Sequence, residues 1–212
     1  MSTDDEYRAF RMLQTSTKKH AMTVLRDEGT YRHIRFQEPG TSIWWFDLVT
    51  WPGHLVITGD LEDFHFARIE DMFEFFRNPP GYINASYWSE KLRGPQRFES
   101  FSPDSLKRQV YERFRDWCRD SEGPHHPLWR AIRDEVLDYL DECDETRAHQ
   151  RLRRFQFGRF DFGDSWEWNL RDYDWHFLVS LHAIVWGIKQ YDKAKATSQT
   201  TPTAPSFEID NG

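Results

Sequence analysis

The hydrophobic period of the sequence changes near residue 68, and this change constrains the fold more than any other feature. Over residues 22–68, apolar and polar residues alternate in short runs such as Tyr31–Phe36, which is typical of half-buried strands. From Ile69 onward, apolar residues recur three and four positions apart, as on one face of a helix. Strands followed by helices predict an α+β fold: a small antiparallel sheet over about residues 22–68, followed by packed helices.

Five strands joined by short turns are expected within this segment. Four glycines, Gly29, Gly40, Gly53 and Gly59, mark the four turns. The expected strands are Met22–Arg26, Tyr31–Phe36, Ile43–Trp51, His54–Thr58 and Phe64–Arg68. Because such short turns join neighbouring antiparallel strands, the sequence predicts a meander.

Aromatic rings supply most of the predicted core. The chain has 17 Phe, 10 Trp and 8 Tyr residues, and each ring buries on the order of 150–250 Å² when packed. The last helix, expected from Asp172 to about Lys193, is apolar on two sides and is predicted to be the most buried helix. Gly187 lies in the interior of this helix, where glycine is unfavourable, so we expect an aromatic side chain to pack closely against it.

Residues 1–195 are expected to form a single globular domain, and residues 196–212 a disordered tail.

Charge and missing signatures exclude several functional classes. A net charge of −7 argues against a protein that mainly binds phosphate backbones. There is no run of about 18 apolar residues and no basic, apolar leader, so we expect a cytoplasmic protein with no membrane partner. The common metalloprotease, hydrolase, P-loop and dinucleotide motifs are absent, and neither a cofactor nor a metal is expected.

Several segments of the sequence resemble a family of uncharacterised accessory proteins encoded by bacteriophages and prophages. The resemblance rests on Trp44–His54, on Phe66–Phe76 with its Met-Phe-Glu-Phe-Phe run, on Tyr87–Leu92 and on Ile184–Asp192. It covers roughly residues 20–192 and carries over no catalytic residue. It implies an accessory role in the host cytoplasm, such as the inhibition of a host defence system.

A cluster of histidine and aspartate residues offers an enzymatic alternative. His54, Asp60, Asp63 and His65 lie close in sequence at predicted strand ends, with His33 and Asp47 on neighbouring strands. Histidine moves protons near neutral pH, so these residues could support acid–base or metal-assisted hydrolysis of a nucleotide. Polar tips at strand ends are the commoner explanation of the same residues, and no ligand spacing enforces a metal site.

An arginine- and phenylalanine-rich stretch offers a binding alternative. Its candidate residues are Arg151, Arg153, Arg154, Phe155 and Phe157. Guanidinium groups bind phosphates and rings stack on bases, so this stretch could bind a nucleotide or single-stranded nucleic acid. Alternatively, the arginines neutralise the acidic run that precedes them, which includes Asp134 and Glu135.

Trp44 and Trp45 are candidate binding residues for a different reason. Adjacent residues of a strand face opposite sides of a sheet, so one indole is expected on each side. An indole on an uncovered face would mark an interface, whereas helices on both faces of the sheet would cover both indoles. The sequence as a whole therefore predicts a non-enzymatic binding protein whose partner is a host or phage protein. A hydrolase or nucleotide-processing enzyme and a nucleotide or nucleic-acid binder are the alternatives.

Overall fold

The computed structural model of the chain describes residues 3–77, 82–95, 97–140 and 144–199. Within it the chain divides into two compact units, one comprising Met1–Phe98 with Trp175–Gly212 and the other Glu99–Asp174. The single domain expected from the sequence stays a prediction. Among the described residues, no helix is long and apolar enough to cross a membrane.

Strands and helices follow one another along the chain much as the sequence predicts. The strands are β1 Ala21–Glu28, β2 Tyr31–Gln37, β3 Phe46–Trp51, β4 His54–Gly59, β5 Phe64–Ala67, β6 Glu99–Phe101, β7 Gln156–Phe157, β8 Phe160–Asp161 and β9 Arg171–Tyr173. The helices are α1 Thr3–Ser16, α2 Met72–Phe76, α3 Ala85–Ser89, α4 Pro103–Asp120, α5 His125–Ile132, α6 Glu145–Arg154 and α7 Trp175–Gln199. The α+β class is confirmed.

The first unit is built on a five-stranded antiparallel meander. Strands β1 to β5 lie in sequence order, and each pairs antiparallel with the next. Alternation along β2 buries Ile34 and Phe36 on one face, whereas His33 and Arg35 stay half-exposed on the other. We call these the inner and outer faces. The predicted sheet over residues 22–68 is therefore confirmed in extent, strand order and direction.

Helices α2 and α7 pack on the inner face of the sheet. The Phe177 ring of α7 meets Phe64 of β5 at a centroid distance of 5.2 Å, and Phe76 of α2 meets Phe66 at the same distance. Arg32, on the inner face of β2, donates two 2.8 Å hydrogen bonds to Asp71. Asp71 also caps α2 by accepting from the Phe73 amide. Arg32, the one charged residue of β2 on this face, is thus paired with the residue that caps α2.

The bounds of α7 differ from the prediction at both ends. The helix begins at Trp175 rather than Asp172, because Arg171–Tyr173 forms β9 and pairs with β6. That pairing joins segments about 70 residues apart in sequence, which helical periodicity cannot reveal. At the other end the helix continues to Gln199, so residues 196–199 of the predicted tail are helical. Residues 200–212 lie outside the described part of the chain.

The second unit is also built around aromatic rings. Phe160 meets Phe155 at 6.0 Å and Phe162 at 5.2 Å, with Leu152 and Ile132 buried in the same cluster. Two of its helices begin at residues whose side chains cap them. Ser102 accepts a hydrogen bond from the Ser105 amide at the start of α4, and Asp144 accepts one from Arg147 at the start of α6. A π-helical segment, Arg133–Leu137, continues α5.

Gly187 is the point at which α7 approaches the sheet most closely. A Cβ atom there would lie 2.8 Å from Cδ1 of Leu48 and 3.0 Å from Cε2 of Phe36. Both distances are shorter than van der Waals contact, so a Cβ atom at this position would require the Leu48 and Phe36 side chains to shift. The prediction of a buried glycine under an aromatic ring is confirmed.

We expect Gly187→Ala to lower the free energy of unfolding by about 1–3 kcal/mol through overpacking, measured by chemical denaturation. The cost should shrink in a Phe36→Leu background, where the ring that the new methyl group meets is gone. Replacing an exposed helical glycine by alanine raises the melting temperature. A higher melting temperature for Gly187→Ala than for the wild type would therefore contradict this packing.

His182 of α7 is buried beside α1. Its side chain is 5% exposed, and its ring lies 5.4 Å from that of Phe10. Burial lowers the pKa of His182 to about 4, although a hydrogen bond to the Glu6 backbone opposes this shift. The ring is therefore neutral at pH 7.

Acidification should weaken the α1–α7 packing through His182. The unfolded ring takes up its proton near pH 6.5 and the folded ring only near pH 4, so the unfolded state binds more protons between these values. The free energy of unfolding should consequently fall by about 3 kcal/mol from this group as the pH drops from 6.5 to 4. Denaturation of wild type and His182→Phe across this range measures the difference, with the exposed His126→Gln as control. Parallel profiles for wild type and His182→Phe would contradict the assignment.

Candidate functional site

The outer face of the sheet holds polar and aromatic side chains that the strand register brings together. His33, Val49, Val56 and His65 lie in one cross-strand row, and Arg35, Asp47 and Thr58 lie in the next. Since α2 and α7 pack on the inner face, these side chains point the other way. All except Asp47 retain partial exposure to solvent.

Asp47 is the buried centre of this face. Asp47 is 4% exposed, and its carboxylate accepts two 2.8 Å hydrogen bonds from Arg35 and one of 2.7 Å from Nε2 of His33. Burial would raise the pKa of the Asp47 carboxyl, but the hydrogen bonds and charges of Arg35 and His33 outweigh it and lower the pKa. Asp47 therefore stays ionised and fixes both neighbouring side chains.

Trp45 completes this arrangement from outside the strand. Its ring lies 4.7 Å from the guanidinium carbon of Arg35, a cation–π contact. The Arg35 side chain thus contacts both the indole and the Asp47 carboxylate. We call Trp45, Arg35, Asp47 and His33 the Arg35 cluster.

The prediction that Trp44 and Trp45 occupy a strand is wrong. Strand β3 begins only at Phe46, and Trp44 has a left-handed backbone with φ of 61°. The Trp44 amide donates a 2.6 Å hydrogen bond to Oδ2 of Asp60, while the Trp45 carbonyl accepts from the Asp60 amide at 2.9 Å. These bonds from the turn after β4 hold both residues in a loop.

His54 and His65 form a second pair on the outer face. Nδ1 of His54 lies 2.9 Å from Nε2 of His65, and the Trp51 ring stacks on His54 at 4.9 Å. Burial lowers the pKa of His65, and the nearby His54 and Arg93 lower it further. One ring donates a hydrogen bond and the other accepts it, so His54 and His65 form a hydrogen-bonded pair.

The four residues of the predicted catalytic cluster are only partly brought together. His54 and His65 touch, but Asp60 follows the far end of β4, roughly 20 Å along the strand from His54, and bonds the Trp44 backbone. Asp63 is exposed in the turn before β5. Three strand spacings, roughly 14 Å, separate His33 from His65.

A metal site is not formed here by the described residues. No three His, Cys, Asp or Glu residues of the outer face bring their ligand atoms close enough to hold an ion. The arrangement can orient side chains and share protons within each pair. It does not gather an acid, a base and a nucleophile around one point.

In the second unit, the arginine- and phenylalanine-rich stretch does not form one surface. Phe155 is 4% exposed and belongs to the core, so its ring cannot stack on a base and its prediction as a binding residue is wrong. Phe157 is half-buried against the same core. Arg153 and Arg154 are both exposed, and Arg154 lines a hollow of about 540 Å³ with Arg151.

The hollow beside Arg151 carries charges of both signs. Asp134 and Glu135 line it together with the arginines, so the acidic run lies close to them, as one of the two interpretations expects. Arg151 itself lies over the Tyr139 ring at 4.2 Å and donates to the Glu135 carbonyl. Its guanidinium is thereby already engaged.

No protein-family model, curated protein or solved structure matches the chain. The candidate site therefore rests on geometry alone. Sequence reasoning noted Asp47 only as a neighbour of the histidines. The signal for its central position is the cross-strand pairing of β2 with β3, which places Asp47 opposite Arg35.

We expect Asp47→Asn to lower the free energy of unfolding by about 1–3 kcal/mol, because a neutral amide cannot replace the carboxylate that accepts from both Arg35 and His33. Chemical denaturation at pH 7 measures the loss. Asp164→Asn, at an exposed position whose side chain makes no capping hydrogen bond, is the control. Equal stabilities of the two variants would contradict the central position of Asp47.

Proposed function

We propose that the chain is a non-enzymatic binding protein that contacts a protein partner through the outer face of its sheet. The observation that carries this proposal is the Arg35 cluster, in which Arg35 is held between the Trp45 ring and the Asp47 carboxylate. Trp and Arg are the residues most enriched among those that dominate binding energy at protein interfaces. Fixing their conformations before binding lowers the entropy lost on association.

The polar groups of the outer face favour a protein over a nucleic acid as the binding partner. The Arg35 guanidinium already bonds a carboxylate twice, and His33 bonds the same carboxylate. His54 and His65 bond each other. A phosphate backbone needs cations that are free to pair with it, whereas a protein surface needs rings and satisfied polar groups. The net charge of −7 supports the same choice.

The biological setting that we propose follows the resemblance to phage and prophage accessory proteins. Such a protein would act in the host cell, and its partner would be a host or phage protein. Inhibition of a host defence system is a purpose that fits a small binding protein. To block a surface of its partner, such a protein needs only a complementary surface of its own. The side chains of the Arg35 cluster are already fixed for this before binding.

A variant series on the Arg35 cluster tests this proposal. The wild type is used to capture a protein from a bacterial host lysate, and the captured protein is then purified and titrated calorimetrically. We expect Trp45→Ala to weaken its binding about 30-fold, as at an interface residue worth about 2 kcal/mol. Arg35→Lys keeps the charge but loses the paired hydrogen bonds, so it should also weaken binding. Trp166→Ala, which removes a 64% exposed indole in the second unit, is the matched control.

Two results would overturn the proposal. One is unchanged affinity of both cluster variants for the captured protein while their thermal unfolding stays like that of the wild type. The other is equal loss of affinity in Trp166→Ala, which would mean that the capture depends on exposed rings in general.

A further inference from the structure

A cleft between α1 and α7 of the first unit has no part in the function proposed above. Its volume is about 780 Å³, within the size range of small-molecule sites. The apolar part of its lining comprises Phe10, Leu13, Ile83, Val185 and Trp186. The polar part comprises Gln14, Thr17, Lys18, His20, His182, Lys189 and Gln190. We call it the α1–α7 cleft.

The charges of this cleft are all of one sign. Lys18 and Lys189 line it, and no Asp or Glu is among the described residues that do so. A smaller hollow of about 340 Å³ shares His20 and Trp186 with the cleft and adds Lys193, one helical turn beyond Lys189. In a chain with a net charge of −7, a cleft whose charged lining residues among those described are both lysines favours an anionic ligand.

Two histidines of the cleft each have one nitrogen without a hydrogen-bond partner in the described chain. Nε2 of His20 lies 3.0 Å from the Trp44 carbonyl, which can only accept, so this nitrogen carries the proton and Nδ1 is a bare acceptor. His182 hydrogen-bonds the Glu6 backbone, while its Nε2 is buried without a partner. The His182 proton is therefore on Nδ1, and Nε2 is a second bare acceptor.

Buried acceptors without a donor are unfavourable, and a ligand that supplies donors removes this cost. Both rings belong to the wall of one cleft, and the side chain of His182 is 5% exposed. Phe10 and Trp186 add ring surfaces on which a flat ligand can stack. The wall therefore combines stacking surfaces, hydrogen-bond acceptors and cations.

We propose that the α1–α7 cleft binds a small aromatic anion whose ring carries N–H donors, of the chemical class of purine mononucleotides. The ring stacks on the aromatic wall and donates to His20 and His182, while the phosphate pairs with Lys189 and Lys193 at the end of the cleft. Guanosine 5′-monophosphate has neighbouring ring N–H and amino donors, so it is the probe of choice. Since both nitrogens are buried, the ring must displace part of the wall as it enters.

Calorimetric titration of the full chain with guanosine 5′-monophosphate tests the proposal. Ribose 5-phosphate, which lacks the ring, and guanosine, which lacks the phosphate, are the matched ligands and should each bind at least about 10-fold more weakly. Lys189→Gln should weaken binding of the nucleotide and reduce its dependence on salt. Lys107→Gln, an exposed lysine of the second unit, should leave both unchanged.

His182→Phe keeps a ring in the cleft wall but removes the bare acceptor. We expect it to weaken nucleotide binding about 10-fold or more while the protein remains folded, as checked by circular dichroism. His20→Phe provides the same test if His182→Phe does not fold. In nitrogen-detected NMR spectra of the wild type, the nucleotide should shift the resonances of Nδ1 of His20 and Nε2 of His182. Binding through charge alone would leave these two resonances unchanged.

The proposal is overturned if the nucleotide does not bind the wild type, or if ribose 5-phosphate binds as tightly as the nucleotide. Unchanged affinity in a folded His182→Phe or His20→Phe variant overturns it as well. Failure of the nucleotide to bind would leave the proposal for the Arg35 cluster standing, because the titrations require no protein partner.

Discussion

The seating of α7 on the sheet at Gly187 is the constraint on which the rest of the first unit depends. With no side chain at this position, the helix backbone rests on Phe36 and Leu48, which lie on neighbouring strands. These contacts define the inner face. Because side chains alternate along a strand, burying Ile34 and Phe36 inward obliges His33 and Arg35 to point outward. The outer face is thus a consequence of the packing on the other side.

Much of the fold could be predicted from the sequence because its signals are local. Turn glycines and period-two alternation are sufficient for the meander, and Ser102 and Asp144 mark helix starts by their own side chains. The errors concern segments whose conformation is set by distant partners. Trp44 leaves the strand region because Asp60 holds its amide, and Arg171–Tyr173 leaves the helix because it pairs with Glu99–Phe101.

In the candidate site, too, the features that could be predicted depend on local sequence, and those that could not depend on contacts with other strands or turns. His54 and His65 could be predicted as neighbours of some kind, because they lie on strands joined by a short turn. The position of Asp47 at the centre of the Arg35 cluster required the register of β2 against β3, which a single sequence does not contain. Burial of Phe155 was equally hidden, since the ring packs with Phe160 and Phe162, both beyond the next turn.

The α1–α7 cleft and the outer face are physically connected through one histidine. His20 lines the cleft, and its Nε2 bonds the carbonyl of Trp44, the residue before Trp45. Trp45 in turn lies over Arg35. The ring of Phe46, the next residue along the chain, meets both His20 and Trp186 at 6.5 and 6.1 Å, so the same short segment contacts the cleft from the inner side of the sheet. A ligand that displaced His20 would act on the loop that positions Trp45. Occupancy of the cleft and affinity at the outer face would then be linked, and by thermodynamic necessity each would change the other by the same factor.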